Sequence, residues 1–464
     1  MRPVRLAALS AVALAACMGD MDMMIPDVID VPASEGRFDT VAAIDRDPAP
    51  TVVAVDLEAR VAPIELAPGH VTSMWTYDGT LPGPRIEANV GDTVKVRFRN
   101  SLPEATTIHW HGVRVPAAMD GVTAAQAPIE PGGEFSYEFV VPDAGTFWFH
   151  PHMRSDVQVE RGLYGVLVVR APDEPVTTTD RVVVLDDLLI ADDWSIADVD
   201  TMQAMVGRQG NLILANGRAH PIAEVTRGGL HRYRFINAAN ARYFRLALPG
   251  HRLTLIGSDG GLLPAPRQVD EVLLVPGERA DVLVTATGEA GAALAWQSLP
   301  YDRGHGTGAK PVATVFQQRN DAVAPVTTPA VPATLTTIAA LPPATVVREL
   351  RLAEGGGHHA PTFSINGETF PAITPLTARL GDVEEWSIVN TTEMDHPFHL
   401  HGFRFQLIAP VADVAWRDTI NIPAGQTVVF RTRLEDHPGR WMFHCHILEH
   451  AELGMMGELE VAAP

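Results

Sequence analysis

Four His-x-His pairs punctuate the chain: His109/His111, His150/His152, His399/His401 and His444/His446. Eighteen histidines scattered at random over 464 residues would give about 0.7 such pairs, counted against the i, i+2 template. Imidazole suits copper, zinc, iron and nickel. On a strand, residues i and i+2 share a face, so each pair can present two nitrogens to one site. Eight nitrogens exceed the needs of a single zinc and suit a cluster of several metal ions. A polar, water-facing strand explains one pair; it does not explain four at matching positions of a repeat.

The last pair encloses one of only two cysteines, in "HCHILEHAELGMM" (444–456). As the middle residue, Cys445 faces away from His444 and His446. It therefore serves a different metal while staying covalently next to the cluster. His450 follows five residues on and Met455 ten on, and "HPFHLHG" supplies His396. Two histidines, a thiolate and a weak axial methionine make a blue-copper electron-transfer site. One metal takes electrons in, and the backbone through Cys445 passes them to the cluster.

These motifs need repeated scaffolds. "GDTVKVRFRNS" (91–101) resembles "GDVEEWSIVNT" (381–391), and "TTIHWHG" resembles "HPFHLHG", both at an offset of 290 residues. "GTFWFHPH" resembles "GRWMFHCH" at an offset of 294. The middle region carries a fainter copy in "LHRYRFINA" and "VPGERADVLV", with no His-x-His pair. Such long repeats mean duplicated domains rather than a solenoid. Short, partly alternating runs rich in β-branched and aromatic residues, separated by Pro-Gly and Gly-Asp turns, read as strands of a sandwich or Greek-key barrel.

At this point the chain, over roughly residues 50–464, resembles a three-domain multicopper oxidase of the bacterial laccase-like or cuprous oxidase type. The resemblance rests on "HWHG", "FHPH", "HPFHLHG" and "HCHILEHAELGMM". It implies an all-β fold of three cupredoxin-like domains and four coppers per chain. Type 1 copper would take His396, Cys445 and His450 with Met455 axial. Type 2 would take His109 and His399. The type 3 pair would take His111, His150, His152, His401, His444 and His446. Asp120 in "MDG" matches an acid that helps move protons to oxygen, or is a plain turn residue. Asp418 in "WRDT" resembles the acid that orients a type 1 histidine, or is a surface strand acid. The family's frequent glutamate after the last type 1 histidine is here Ala451, with Glu452 next.

The expected division is a lipoprotein-type signal at 1–17, a flexible tether at 18–45, a first cupredoxin domain at 46–172 and a second at 173–320. A Pro/Ala/Thr-rich linker at 321–347 leads into a third domain at 348–464. The signal reading rests on Arg2 and Arg5, an apolar run too short to span a bilayer, and "LAAC" ending at Cys17. Ordinary signal cleavage is the alternative. If Cys17 carries lipid, Cys445 is the only remaining thiol. The protein is expected to be exported, anchored to a bacterial membrane only through that lipid, facing periplasm or exterior, and monomeric. A formal charge of −21 argues against nucleic acid, because phosphates would be repelled.

The expected activity is one-electron oxidation of electron-rich phenols and aromatics, coupled to reduction of O2 to water. Cuprous oxidation is the alternative, with Glu393-Met394-Asp395 as ligands for one Cu(I) at the rim. A non-catalytic copper scaffold is disfavoured by the complete ligand set, and copper nitrite reductase by its two-domain plan. The axial Met455 points to a modest potential. Met442 and Met456 are expected in packing, while Met202 and Met205 fit either a core or a substrate lip. Met18, Met21, Met23 and Met24 read as a flexible tail, and His358 and His359 as solvated loop residues.

Overall fold

A computed structural model describes residues 26–463 apart from 306, 358 and 359. The signal segment with Cys17, the methionines at 18–24 and His358/His359 therefore lie outside the described residues. The fold is all-β, with three short α-helices among the described residues: α1 (Ser155–Gln158), α2 (Thr201–Val206) and α3 (Leu448–Glu452).

Alternation builds the sheets. In Thr93–Asn100, Val94, Val96 and Phe98 point into the core, while Lys95 and Arg97 face outward. That is the one-face-buried pattern of antiparallel sandwiches. Each domain packs two sheets face to face. In the first, His70–Tyr77, Val52–Ala67, Thr93–Asn100 and Glu134–Val140 form one sheet. Arg85–Asn89, Gly165–Arg170, Gly145–His150 and His109–His111 form the other. The third domain repeats this with sheets of six and five strands, and the second has sheets of seven and five.

Register shows the duplication. His109 pairs with His150 across two antiparallel strands, and His399 pairs with His444 in the same way. The residue between the histidines faces inward. Trp110 lies in the first domain's core, and Leu400 and Cys445 lie in the third's. Period-two alternation then sends the flanking histidines to the opposite face, toward the seam between the domains.

The expected tether is corrected over residues 26–45. Phe38 is buried in the second domain's core, with Val28 packed against it. Ser34 bridges to Pro221 and Ala42 to Arg85. The Asn216 side-chain amide donates to the Phe38 carbonyl at 2.9 Å. Scattered apolar residues without periodicity can strap a surface, and local pattern alone does not reveal that. Residues 321–345 carry no strand, but Val331 and Leu335 pack on Leu230, Ile256 and Leu283. Among the described residues no helix is long and apolar enough to cross a membrane.

Candidate metal centre

The eight paired histidines converge between the first and third domains, and seven of them are buried. Their nitrogens form the groups His109/His399/His401, His109/His111/His150 and His152/His401/His444. His446 lies beside His111, with ring centroids 5.0 Å apart.

Hydrogen bonds decide which nitrogen is left for a metal. The Nδ1–H groups of His109, His150, His399 and His444 donate to the carbonyls of Asp120 (2.8 Å), Pro151 (3.0 Å), Asp418 (2.9 Å) and Cys445 (2.8 Å). The Nε2 atoms of His109, His150 and His399 have no hydrogen-bond partner, nor has either ring nitrogen of His446. The Nε2 atoms of His152 and His401 lie 3.2 and 3.0 Å from that of His444. His111 is reversed. Its Nε2 meets Asp418 Oδ1 at 3.1 Å and Nδ1 is unpartnered. Unpartnered nitrogens this deeply buried are costly unless a cation meets them. Burial lowers the pKa of His111, His150, His152, His401 and His446, and that of His444 to about 3. They are therefore neutral, the form that binds metals.

On the inward face of the same strand, Cys445 Sγ lies 3.4 Å from His396 Nδ1 and 3.8 Å from His450 Nδ1. The two nitrogens are 3.3 Å apart. Met455 is fully buried in the same core, and its carbonyl accepts the Cys445 N–H at 3.0 Å. Burial pushes the Cys445 thiol up to about 12, so a thiolate at neutral pH needs a bound cation in place of the proton. The chemistry of both donor sets fits copper.

Asp120 sits at the cluster. Its Oδ2 accepts from His401 Nδ1 at 2.8 Å, and Oδ1 lies 3.3 Å from His109 Nδ1. Asp418 is a correction: its carboxylate touches the cluster residues His111 and His399, not His396 or His450. Burial alone would raise its pKa, but the Arg279 guanidinium holds it well below the ordinary carboxylate range. The proposed rim site at Glu393-Met394-Asp395 is also corrected. Met394 is fully buried in the third domain's core. Asp395 is taken up by Tyr301, Asn421 and the Ala424 N–H. Ala451 packs with Val122, Met442 and Met456, and Glu452 accepts the Ser155 N–H at 2.7 Å.

The middle domain, without copper motifs, reaches both centres. Arg279 forks onto Asp418 at 2.7 and 2.5 Å. At Gly277, with φ +89°, an added Cβ would lie 2.9 Å from His446 Cδ2 and 3.1 Å from His111 Cε1. The Met205 carbonyl, on α2, accepts His450 Nε2–H at 3.0 Å. Nothing in residue type marks a backbone carbonyl as functional. Arg279 could have been noticed as a charge opening the strand "RADVLV", whose residues 279–283 are all buried.

A second polar cluster joins all three domains beside α3. It forms a cavity of about 380 Å³ lined by Asp156, Glu160, Asp198, Arg208, Glu449 and Glu452, among others. Burial pushes the Glu160 carboxyl up to about 7, although Arg208 opposes it. The folded state therefore holds a proton that the unfolded chain, with a glutamate near 4.3, has released. Stability contributed at this position is present at low pH and is lost as pH rises from about 4.5 to about 7. Glu160→Gln is expected to flatten the stability–pH curve in that window by up to about 1.4 kcal/mol per pH unit. Chemical denaturation at several pH values reads this; an unchanged slope contradicts it.

Comparison with known proteins agrees with this geometry. Models of the multicopper oxidase family match residues 59–174, 187–321 and 342–464. The chain is 34% identical to multicopper oxidase MmcO of Mycobacterium tuberculosis, with 92% of each covered. It is 27% identical to a laccase of Bacillus subtilis, covering 85% of this chain and 91% of that one. Among solved structures, a Campylobacter jejuni multicopper oxidase titled "a metallo-oxidase" superposes with a TM-score of 0.85 at 30% identity, covering 94% and 98%. Paired histidines at a domain seam, a buried cysteine behind them, and matches along all three domains place the chain in the multicopper oxidase family, as a copper-dependent oxidoreductase.

Proposed function

We propose that the protein oxidises small electron-rich phenols and aromatic amines one electron at a time, with O2 as the acceptor. His396, Cys445, His450 and Met455 hold the type 1 copper. His109 and His399 hold type 2; His111, His150, His152, His401, His444 and His446 hold the type 3 pair. Bound copper supplies one-electron transfer at the first centre and four-electron reduction of O2 to water at the cluster. The chain orients the ligands and links Cys445 covalently to His444 and His446. Asp120 and Asp418 fix His401 and His111 through the bonds described above, and Asp120 is an acid in contact with the cluster that can handle protons.

The observation that favours an organic reductant is the burial of Met394. It removes the thioether two residues before His396 from any rim where Cu(I) could dock, and soft sulfur is what selects Cu(I). A second reading, cuprous ion as reductant, is supported by the acid-lined cavity against α3, by the acidic chain, and by the similarity to the C. jejuni metallo-oxidase. Oxygen uptake with a methoxyphenol and with Cu(I), corrected for added Cu(II), separates them. Faster turnover of the phenol is expected; negligible phenol turnover beside efficient Cu(I) turnover reverses the choice.

Export and lipid anchoring rest on residues 2–17. Cys17→Ala is expected to move the protein from the membrane fraction to the soluble one. Retention in membranes, or a free mature N-terminus elsewhere, contradicts the anchor. A monomer is proposed, since each chain supplies a complete ligand set.

A further inference from the structure

Arg303 is a fully buried arginine in the middle domain's 301–308 loop. Among the described residues no carboxylate lies within ion-pair distance of it. Buried arginines are ordinarily paired, because an isolated charge is costly to desolvate. At hydrogen-bond distance, among the described residues, this guanidinium is met by neutral groups. Nη2 donates to the Val206 carbonyl at 2.5 Å and the Gly207 carbonyl at 3.4 Å. The Gln209 side-chain oxygen accepts from Nη2 and Nε at 2.9 and 3.1 Å in its satisfied orientation. Nη1 lies 3.8 Å from Met394 Sδ. Arg303 also stands over the Tyr243 ring, 5.9 Å from its centroid.

Two of these contacts lead to the type 1 ligands. Val206 directly follows Met205, whose carbonyl holds His450 Nε2. The Arg303 carbonyl accepts the Asp395 N–H at 2.8 Å, and Asp395 directly precedes His396. One residue outside the copper domains thus grips the supports of both histidines.

We propose that Arg303 is a positioning and potential-setting residue. Its charge, met at hydrogen-bond distance by neutral groups among the described residues, favours the singly charged, reduced copper over the doubly charged, oxidised one, and so raises the type 1 reduction potential above what Met455 alone would set. Adding one electron lowers the net charge of the site by one, and a nearby fixed cation stabilises that state. In a buried setting the attraction is little screened by salt.

The inference rests on the type 1 assignment, and the test separates the two. Copper-loaded parent, Arg303→Gln, Arg303→Met and Arg303→Lys are poised with redox mediators, and the blue absorbance is followed against potential. No oxidisable substrate is needed. The neutral variants are expected to shift the reduction equilibrium about tenfold toward the oxidised form, about 59 mV for one electron. Arg303→Lys is expected within about threefold of the parent. Neutral variants that stay blue and titrate within twofold of the parent overturn the proposal. If the neutral variants fail to fold, the lysine variant decides: a tenfold fall there overturns it, and a parent-like equilibrium supports it. A parent with no blue absorbance at full copper loading refutes the type 1 assignment itself, which a missing shift in blue variants does not.

Discussion

The Cys445→Ser protein is expected to be colourless and to consume no O2 while remaining folded. Serine removes the soft sulfur that selects copper and produces thiolate-to-copper charge transfer. It also breaks the link from the first centre to His444 and His446. The structural cost is small by comparison. Cys445 is fully buried among Phe398, Phe443 and Trp386, so a hydroxyl there costs about 1–3 kcal/mol. Visible absorbance, oxygen uptake and far-ultraviolet circular dichroism, measured on one copper-loaded sample, read all three. A blue or active Cys445→Ser enzyme would remove Cys445 from the centre.

The second large effect is expected at Arg279, which no copper motif contains. Its guanidinium is fully buried between Asp418 and Asp259, the latter at 3.4 Å. Arg279→Met leaves two acids buried without their cation, and breaking a buried pair in this way costs about 3–5 kcal/mol. The Asp418 carboxylate then no longer holds His111 Nε2, so copper content should fall toward one per chain while the blue colour remains. A pH signature accompanies this. With Arg279 present, the depressed Asp418 pKa contributes stability above about pH 3.9, the unfolded value. That contribution is lost only as pH falls through the lower folded pKa. In Arg279→Met burial raises the carboxyl above that unfolded value, so the sign reverses: its contribution is present at low pH and is lost as pH rises through the raised folded pKa. Urea midpoints from pH 3 to 7, with copper analysis, check both points. Parent-like midpoints and full copper content would show that Arg279 does not position the cluster.

Some of the site was legible because it is written in residue type and spacing. Cys445 between His444 and His446 had to face away from them, since strand side chains alternate, and its Sγ indeed lies with His396 and His450. Residue type marks Asp418 as an acid near copper but does not say which centre it serves, and it contacts His111 and His399. "WRDT" states that an acid ends a strand; it does not state that Arg279, 139 residues away, turns its carboxylate toward His111. Met394 misled for a similar reason. It directly precedes Asp395 and His396 in the chain, yet lies in the core with its sulfur against Arg303.

From the sequence alone came the duplicated β-domains, the ligand types and their spacing, because alternation and repeat offsets are local properties of a chain. The tertiary structure alone decided which nitrogen of His109, His111, His150 and His399 is left for metal. It also decided that residues 26–45 form a packed strap, and that the copper-free middle domain supplies Arg279, Arg303 and the Met205 carbonyl to the two centres. Those outcomes depend on hydrogen bonds and buried charges that no periodicity links, some between distant segments such as His450 with Met205 and Arg279 with Asp418.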